Sequence, residues 1–112
     1  MTVPRDASSL GGKTVAHSQK SADFILESRM ASAARGDINA YFDLGMAFSS
    51  GSGGIGVDLI QAHKWFNLAA LNGNPRGQEC RAEIAGEMSP REIAEAQRQA
   101  RAWLSSAGRT AH

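Results

Sequence analysis

From Ser21 onward the apolar residues fall three and four positions apart, the spacing that lines one side of an α-helix. No stretch alternates apolar and polar residues as a half-buried strand would. A first helix is predicted over Ser21–Arg35, with Leu26, Met30, Ala33 and Ala34 as its inner stripe and Gly36 as its stop. A second is predicted over Ile38–Phe48, where Tyr41, Leu44, Gly45 and Phe48 share one face. The glycine-rich loop "SSGSGGIGV" follows.

The third helix is expected to begin at Asp58. Asp58 and Gln61 have the spacing of a capping box, in which each side chain bonds the other residue's backbone N–H. Its inner face is Ala62, Trp65, Phe66 and Ala69. Gly73 can take the left-handed conformation that ends a helix. Asn74-Pro75 then starts another, with Asn as cap and Pro at the first position. This fourth helix is predicted over Pro75–Glu87, with Gly77, Cys80, Ile84 and Met88 inward. "SPRE" is a second capping box, from Ser89 to Glu92, and opens a fifth helix that reaches Leu104 through Ile93, Ala96, Gln97, Ala100 and Trp103. The polar end, residues 107–112, is expected to fray. The predicted fold is all-α: about five short antiparallel helices stacked as hairpins.

The sequence repeats itself. "AHKWF" at 62–66 returns as "ARAWL" at 100–104, 38 positions on, and Gly36 returns as Gly73, 37 positions on. A period of this length carried by helix pairs marks a helical repeat array. In such an array alanines let helices approach closely, and adjacent aromatics such as Trp65 and Phe66 fill gaps toward two neighbours.

The segment from Gly36 to Gln78 resembles a Sel-one-like repeat, a relative of the tetratricopeptide repeat. The resemblance is carried by Ala40, Leu44-Gly45 and Phe48, by Gly51 and Gly53 in the loop, and by Asp58, Ala62, Trp65-Phe66, Ala69-Ala70 and Gly73. An extra residue near Gly54 lengthens the loop, and Phe48 stands where the family usually has tyrosine. Residues 36–73 match best; 74–104 form a degenerate terminal repeat, with Arg81-Ala82 in place of the Leu-Gly pair and no loop glycines. The resemblance implies an array of helical hairpins that binds other proteins, without catalysis or cofactor.

Composition narrows the picture further. The chain has 112 residues, which favours one domain, expected over 21–106. Lys and Arg number 12 against 11 Asp and Glu, a balance that gives no pull toward nucleic acid or an anionic membrane. Cys80 is the sole cysteine, so no internal disulfide forms, which fits a reducing, cytoplasmic setting. The first 20 residues carry few large apolar groups and no signal-peptide run. They are read as a disordered tail, or as a basic contact arm through Arg5, Lys13 and Lys20.

Other apparent motifs carry less. Gly51 to Gly56 spells G-x-G-x-x-G, but a helix rather than a strand precedes it, so it is read as an interhelical loop. His17, His63 and His112 lack metal-ligand spacing, and His63, beside Trp65 on a helix, is expected on the surface or partly packed. Cys80 is read as a small buried group. Glu79, Glu83 and Glu87 form an acidic stripe, either balanced by Arg98 near Glu79 and Arg91 near Glu87 across a hairpin seam or left as a binding face.

The second helix has a further face: Asn39, Phe42, Asp43 and Met46. Phe42 and Met46 need an apolar neighbour, which is either the first helix, through Leu26 and Met30, or a partner. Carried over from related repeats, the partner-facing surface would include Asp43 and Met46, then Arg76 and Glu79; with Phe42 from the same face of the second helix, these are the candidate partner-binding residues. The expected function is a protein-interaction module, an adaptor or scaffold, whose partner is a protein or peptide or a second copy of the chain. An enzyme or small-ligand domain, or a nucleic-acid accessory protein, is the alternative.

Overall fold

A computed structural model describes residues 24–51 and 55–110, the last four as backbone. Among these residues there are only helices and the turns between them. Residues 24–34 are helical and form α1. α2 is Ile38–Ser50, α3 Leu59–Leu71, α4 Pro75–Ala85 and α5 Pro90–Thr110. The predicted tail, the start of the first helix and loop residues 52–54 lie outside the described residues.

Two of the turns are the same structure built twice. At the end of α1, Gly36 has φ +86°, its N–H donates to the Ala33 carbonyl, and the Asp37 N–H donates to the Ser32 carbonyl. At the end of α3, Gly73 has φ +97°, its N–H donates to Ala70, and the Asn74 N–H donates to Ala69. Both are Schellman turns, in which a left-handed residue returns two N–H groups to the last helical carbonyls. The next residue starts the following helix at once. The Asp37 carboxylate accepts from the Asn39 N–H at 3.0 Å, and the Asn74 side chain accepts from the Arg76 N–H at 2.9 Å. The 37-residue glycine offset is thus a repeat of geometry as well as of sequence.

α3 is the centre of the packing, with α2, α4 and α5 all lying against it. Trp65 and Phe66 divide the interior between them. Trp65 joins Ala33, Ala40, Tyr41, Leu44, Leu68, Ala69 and Ala100 in one cluster. Phe66 joins Ala62, Ile84, Met88 and Ala96 in a second. The ring of Phe66 also explains Leu44-Gly45: a Cβ on Gly45 would stand 2.5 Å from a ring carbon. Where α4 crosses α3, a Cβ on Gly77 would lie 2.9 Å from both the Phe66 carbonyl and the Ala69 methyl.

Equivalent residues of α3 and α5 touch each other. Trp65 and Trp103 meet in the interior, and the Gln61 side-chain amide donates to the Gln99 carbonyl oxygen across 38 positions, at 2.9 Å. Gln99 in turn donates to Glu95 at 2.8 Å.

Several expectations need correction. Ala34 is exposed, because Leu26, Met30 and Ala33 lie four and three apart and Ala34 falls a further step round the helix. α2 runs two residues past Phe48, to Ser50, and ends where Gly51 turns left-handed at φ +70°. α4 stops at Ala85, short of Glu87, because Gly86, Glu87 and Met88 bond three residues back instead of four. α5 continues past Leu104 to Thr110, since nothing from Ser105 to Ala107 breaks a helix. Gln97 is exposed.

The capping box at Asp58 forms by half. Asp58 accepts from the Gln61 N–H at 3.1 Å, but the Gln61 side chain has gone to Gln99, and the Asp58 N–H donates to the Phe48 carbonyl. The box at Ser89 forms fully, with both reciprocal bonds to Glu92. Because α5 packs on α3, Arg98 does not reach Glu79. It forms a bidentate pair with Glu95, three residues back on its own helix.

Candidate functional site

The second face of α2 is half inside the fold and half outside. Phe42 lies partly buried against both interior clusters, its ring centroid 5.6 Å from that of Phe66. From α4, the Arg76 guanidinium lies over the outer face of the same ring at 5.0 Å. This stacking is the contact that joins the α2 and α4 members of the predicted surface, and it covers an aromatic face with a cation instead of an apolar side chain. Asp43 is engaged by α1, through an ion pair with Arg29 at 3.3 Å. Such an exposed pair is worth ~0–1 kcal/mol.

α1 therefore covers part of this face and leaves part open. Leu26 and Met30 pack against the first cluster, where Phe42 also rests. Met46 remains 42 % exposed. Glu79 is exposed on α4, one turn beyond Arg76. At one end of the face the two equivalent turns wall a shallow pocket, from Gly36 to Asn39 and from Asn72 to Pro75. The pocket is open and its lining is as apolar as it is polar, and the cap oxygens of Asp37 and Asn74 are already committed to their own helices.

Two polar groups on α3, His63 and Lys64, stand in surroundings that the sequence does not indicate. His63 is buried, not at the surface, and its Nδ1 has no partner. Burial, and then the nearby Arg81 charge, hold its pKa below the ordinary histidine value. Arg81 itself donates to the Asn67 side chain, tying α4 to α3. Lys64 is half-buried, with its ammonium 4.5 Å from the Trp65 ring centroid and 5.4 Å from that of Trp103. Burial lowers its pKa. No local signal marks these positions, because what covers them comes from α4 and α5.

Cys80 is half-buried against the second cluster instead of enclosed, and burial, followed by Glu83, pushes its thiol pKa up. That is the direction of an unreactive cysteine. Among the described residues no three His, Cys, Asp or Glu side chains gather as a metal site. The glycine-rich loop has a helix on each side, and no described helix is long and apolar enough to cross a membrane. Comparisons with protein-family models, curated proteins and solved structures find no match to this chain, so the surface is read from its own geometry.

Proposed function

We propose that this chain is a small protein-interaction module, an adaptor or scaffold built as a Sel-one-like helical array, and that a partner segment docks on the α2–α4 face. The observation that carries the reading is the state of that face. Met46 stands exposed one turn along α2 from a phenylalanine whose ring is covered by the Arg76 guanidinium. An apolar side chain of a partner could displace Arg76 from the ring and cover Met46 in one step. Asp43 and Glu79 at the margin would set the orientation of the partner's charges. The face is small, so affinity would be modest unless the partner wraps further round the array.

Catalysis forms no part of this reading. The near balance of 12 cationic and 11 anionic residues favours a protein or peptide partner over nucleic acid or a membrane surface. The lone cysteine suits a cytoplasmic setting.

Met46→Asp tests the reading. Met46 lies outside both interior clusters, so the fold should survive. Extract from native cells is passed over the immobilised wild-type and variant chains. Proteins held by the wild type should be lost from a variant with the same melting temperature. If both chains retain the same set, the α2–α4 face has no role in binding.

A further inference from the structure

We propose that the notch between α3 and α5 binds a carboxylate carried on a short apolar stem, with Lys64 as its cation and Trp103 as its wall. The notch has a volume of ≈ 270 Å³ and is lined by Lys64, Arg98, Gln99, Ala102, Trp103 and Ser106. It does not rest on the α2–α4 reading, since none of these residues belongs to that face.

The argument begins with the ammonium. Lys64 has given up part of its water to lie over two indole rings. The rings attract the charge but offer no hydrogen-bond acceptor to its three N–H groups. No described residue pairs with it: the described ion pairs are Arg29–Asp43 and Arg98–Glu95. Lys64 is therefore a positioned cation with unmet donors at the edge of a cavity.

The rest of the notch selects among ligands. Glu95, the acid nearest in sequence to Arg98, accepts from Arg98 at 2.9 and 2.6 Å and from Gln99 at 2.8 Å, so its charge is already answered. The notch is left with one uncompensated positive charge. That suits a monoanion; a phosphate dianion would need a second free cation, and Arg98 is committed to Glu95. A cationic ligand would meet Lys64. A neutral one could accept a hydrogen bond through a carbonyl but would leave the charge itself unanswered. The half-buried Trp103 ring and the Ala102 methyl give an apolar stem a surface to lie on. Ala102 occupies in α5 the position that Lys64 holds in α3, 38 residues earlier, and its small size keeps the notch open.

Such a carboxylate can come from an acidic side chain or from a chain terminus. Three blocked peptides separate the cases: Ac-Ala-Glu-Ala-NH2 has only a side-chain carboxylate, Ac-Ala-Ala-OH only a terminal one, and Ac-Ala-Gln-Ala-NH2 neither. Each is titrated into the full chain while the Trp103 indole N–H resonance is followed by NMR. A saturable shift with either carboxylate peptide and none with the glutamine peptide is the expected result, and the responding peptide identifies the source. Lys64→Gln should weaken the response by about tenfold, the scale of one charge-assisted hydrogen bond. Lys64→Arg should largely keep it. An equal shift with the glutamine peptide, no shift with either acid, or full binding by Lys64→Gln would overturn the proposal. The comparison of glutamate with glutamine needs no variant, so it decides even if Lys64→Gln does not fold.

Discussion

Trp65 and Trp103 meet edge to face, their ring centroids 4.9 Å apart and their planes at 75°. They hold the same position in two copies of one short motif, so the repeat is joined to itself by the residue that defines it. Tyr41 extends the contact, lying 6.0 Å from Trp65 on one side and taking a long hydrogen bond from the Trp103 indole at 3.4 Å.

Trp65 is fully buried and Trp103 only in part. Trp65→Ala should therefore cost about 3–5 kcal/mol, and Trp103→Ala clearly less. A double-mutant cycle read by urea unfolding should return a coupling of about 0.5–1.5 kcal/mol beyond simple loss of area. Strict additivity would show that the two rings merely share a neighbourhood.

Gly73 and Gly77 should fail for different reasons when changed to alanine. Gly73 has a left-handed backbone and nothing within 4 Å of an added Cβ, so Gly73→Ala should cost about 1–2 kcal/mol of conformational energy. Gly77 has room in φ but none in space, because the added carbon meets the Phe66 carbonyl and the Ala70 nitrogen. Gly77→Ala must push α4 off α3, at about 1–3 kcal/mol. A D-alanine placed by chemical synthesis should relieve the first defect and not the second.

Stability should fall on mild acidification through His63. Its folded pKa lies below 6.5, so the neutral form is the one the fold holds, and the unfolded chain takes up the proton first. The stabilisation is complete above 6.5 and is lost as pH falls from there toward the folded value. The urea midpoint of the wild type should drop as pH falls below about 6.5, and His63→Gln should flatten that drop. An equally steep drop in the variant would assign the effect to other groups.

Ser89→Ala should destabilise the chain by about 1 kcal/mol, because it removes the acceptor for the Glu92 N–H. Asp58→Ala should cost a similar amount. Gln61→Ala should act differently: its side chain serves the α3–α5 contact, so its loss should couple to Gln99→Ala and not to Asp58→Ala. Thermal melts of the single and paired variants distinguish the two cases.

What the sequence made legible was whatever a few neighbouring residues decide. Asn74-Pro75 and Ser89 to Glu92 start helices where expected because a cap needs only its own next turn. The glycine and aromatic periods gave the repeat. An α5 folded back along α4 would set Arg98 beside Glu79; with α5 on α3, Arg98 instead meets Glu95, three residues back on its own helix. His63 and Lys64 were obscure for the same reason, since burial there depends on which helix lands on α3. On the candidate surface, the spacing along α2 placed Phe42 and Met46 on one face, but nothing in it foretold that Arg76 would lie over one and leave the other bare.

An array whose units lean only on their neighbours can lose an end and keep its middle. Here α2, α4 and α5 each rest on the 13 residues of α3, and neither interior cluster exists without it. The domain has no half that could persist alone, so it should unfold in a single all-or-none event despite its repetitive plan. The amide hydrogens around Trp65 should then exchange with solvent only when the whole domain opens, as slowly as its global stability dictates.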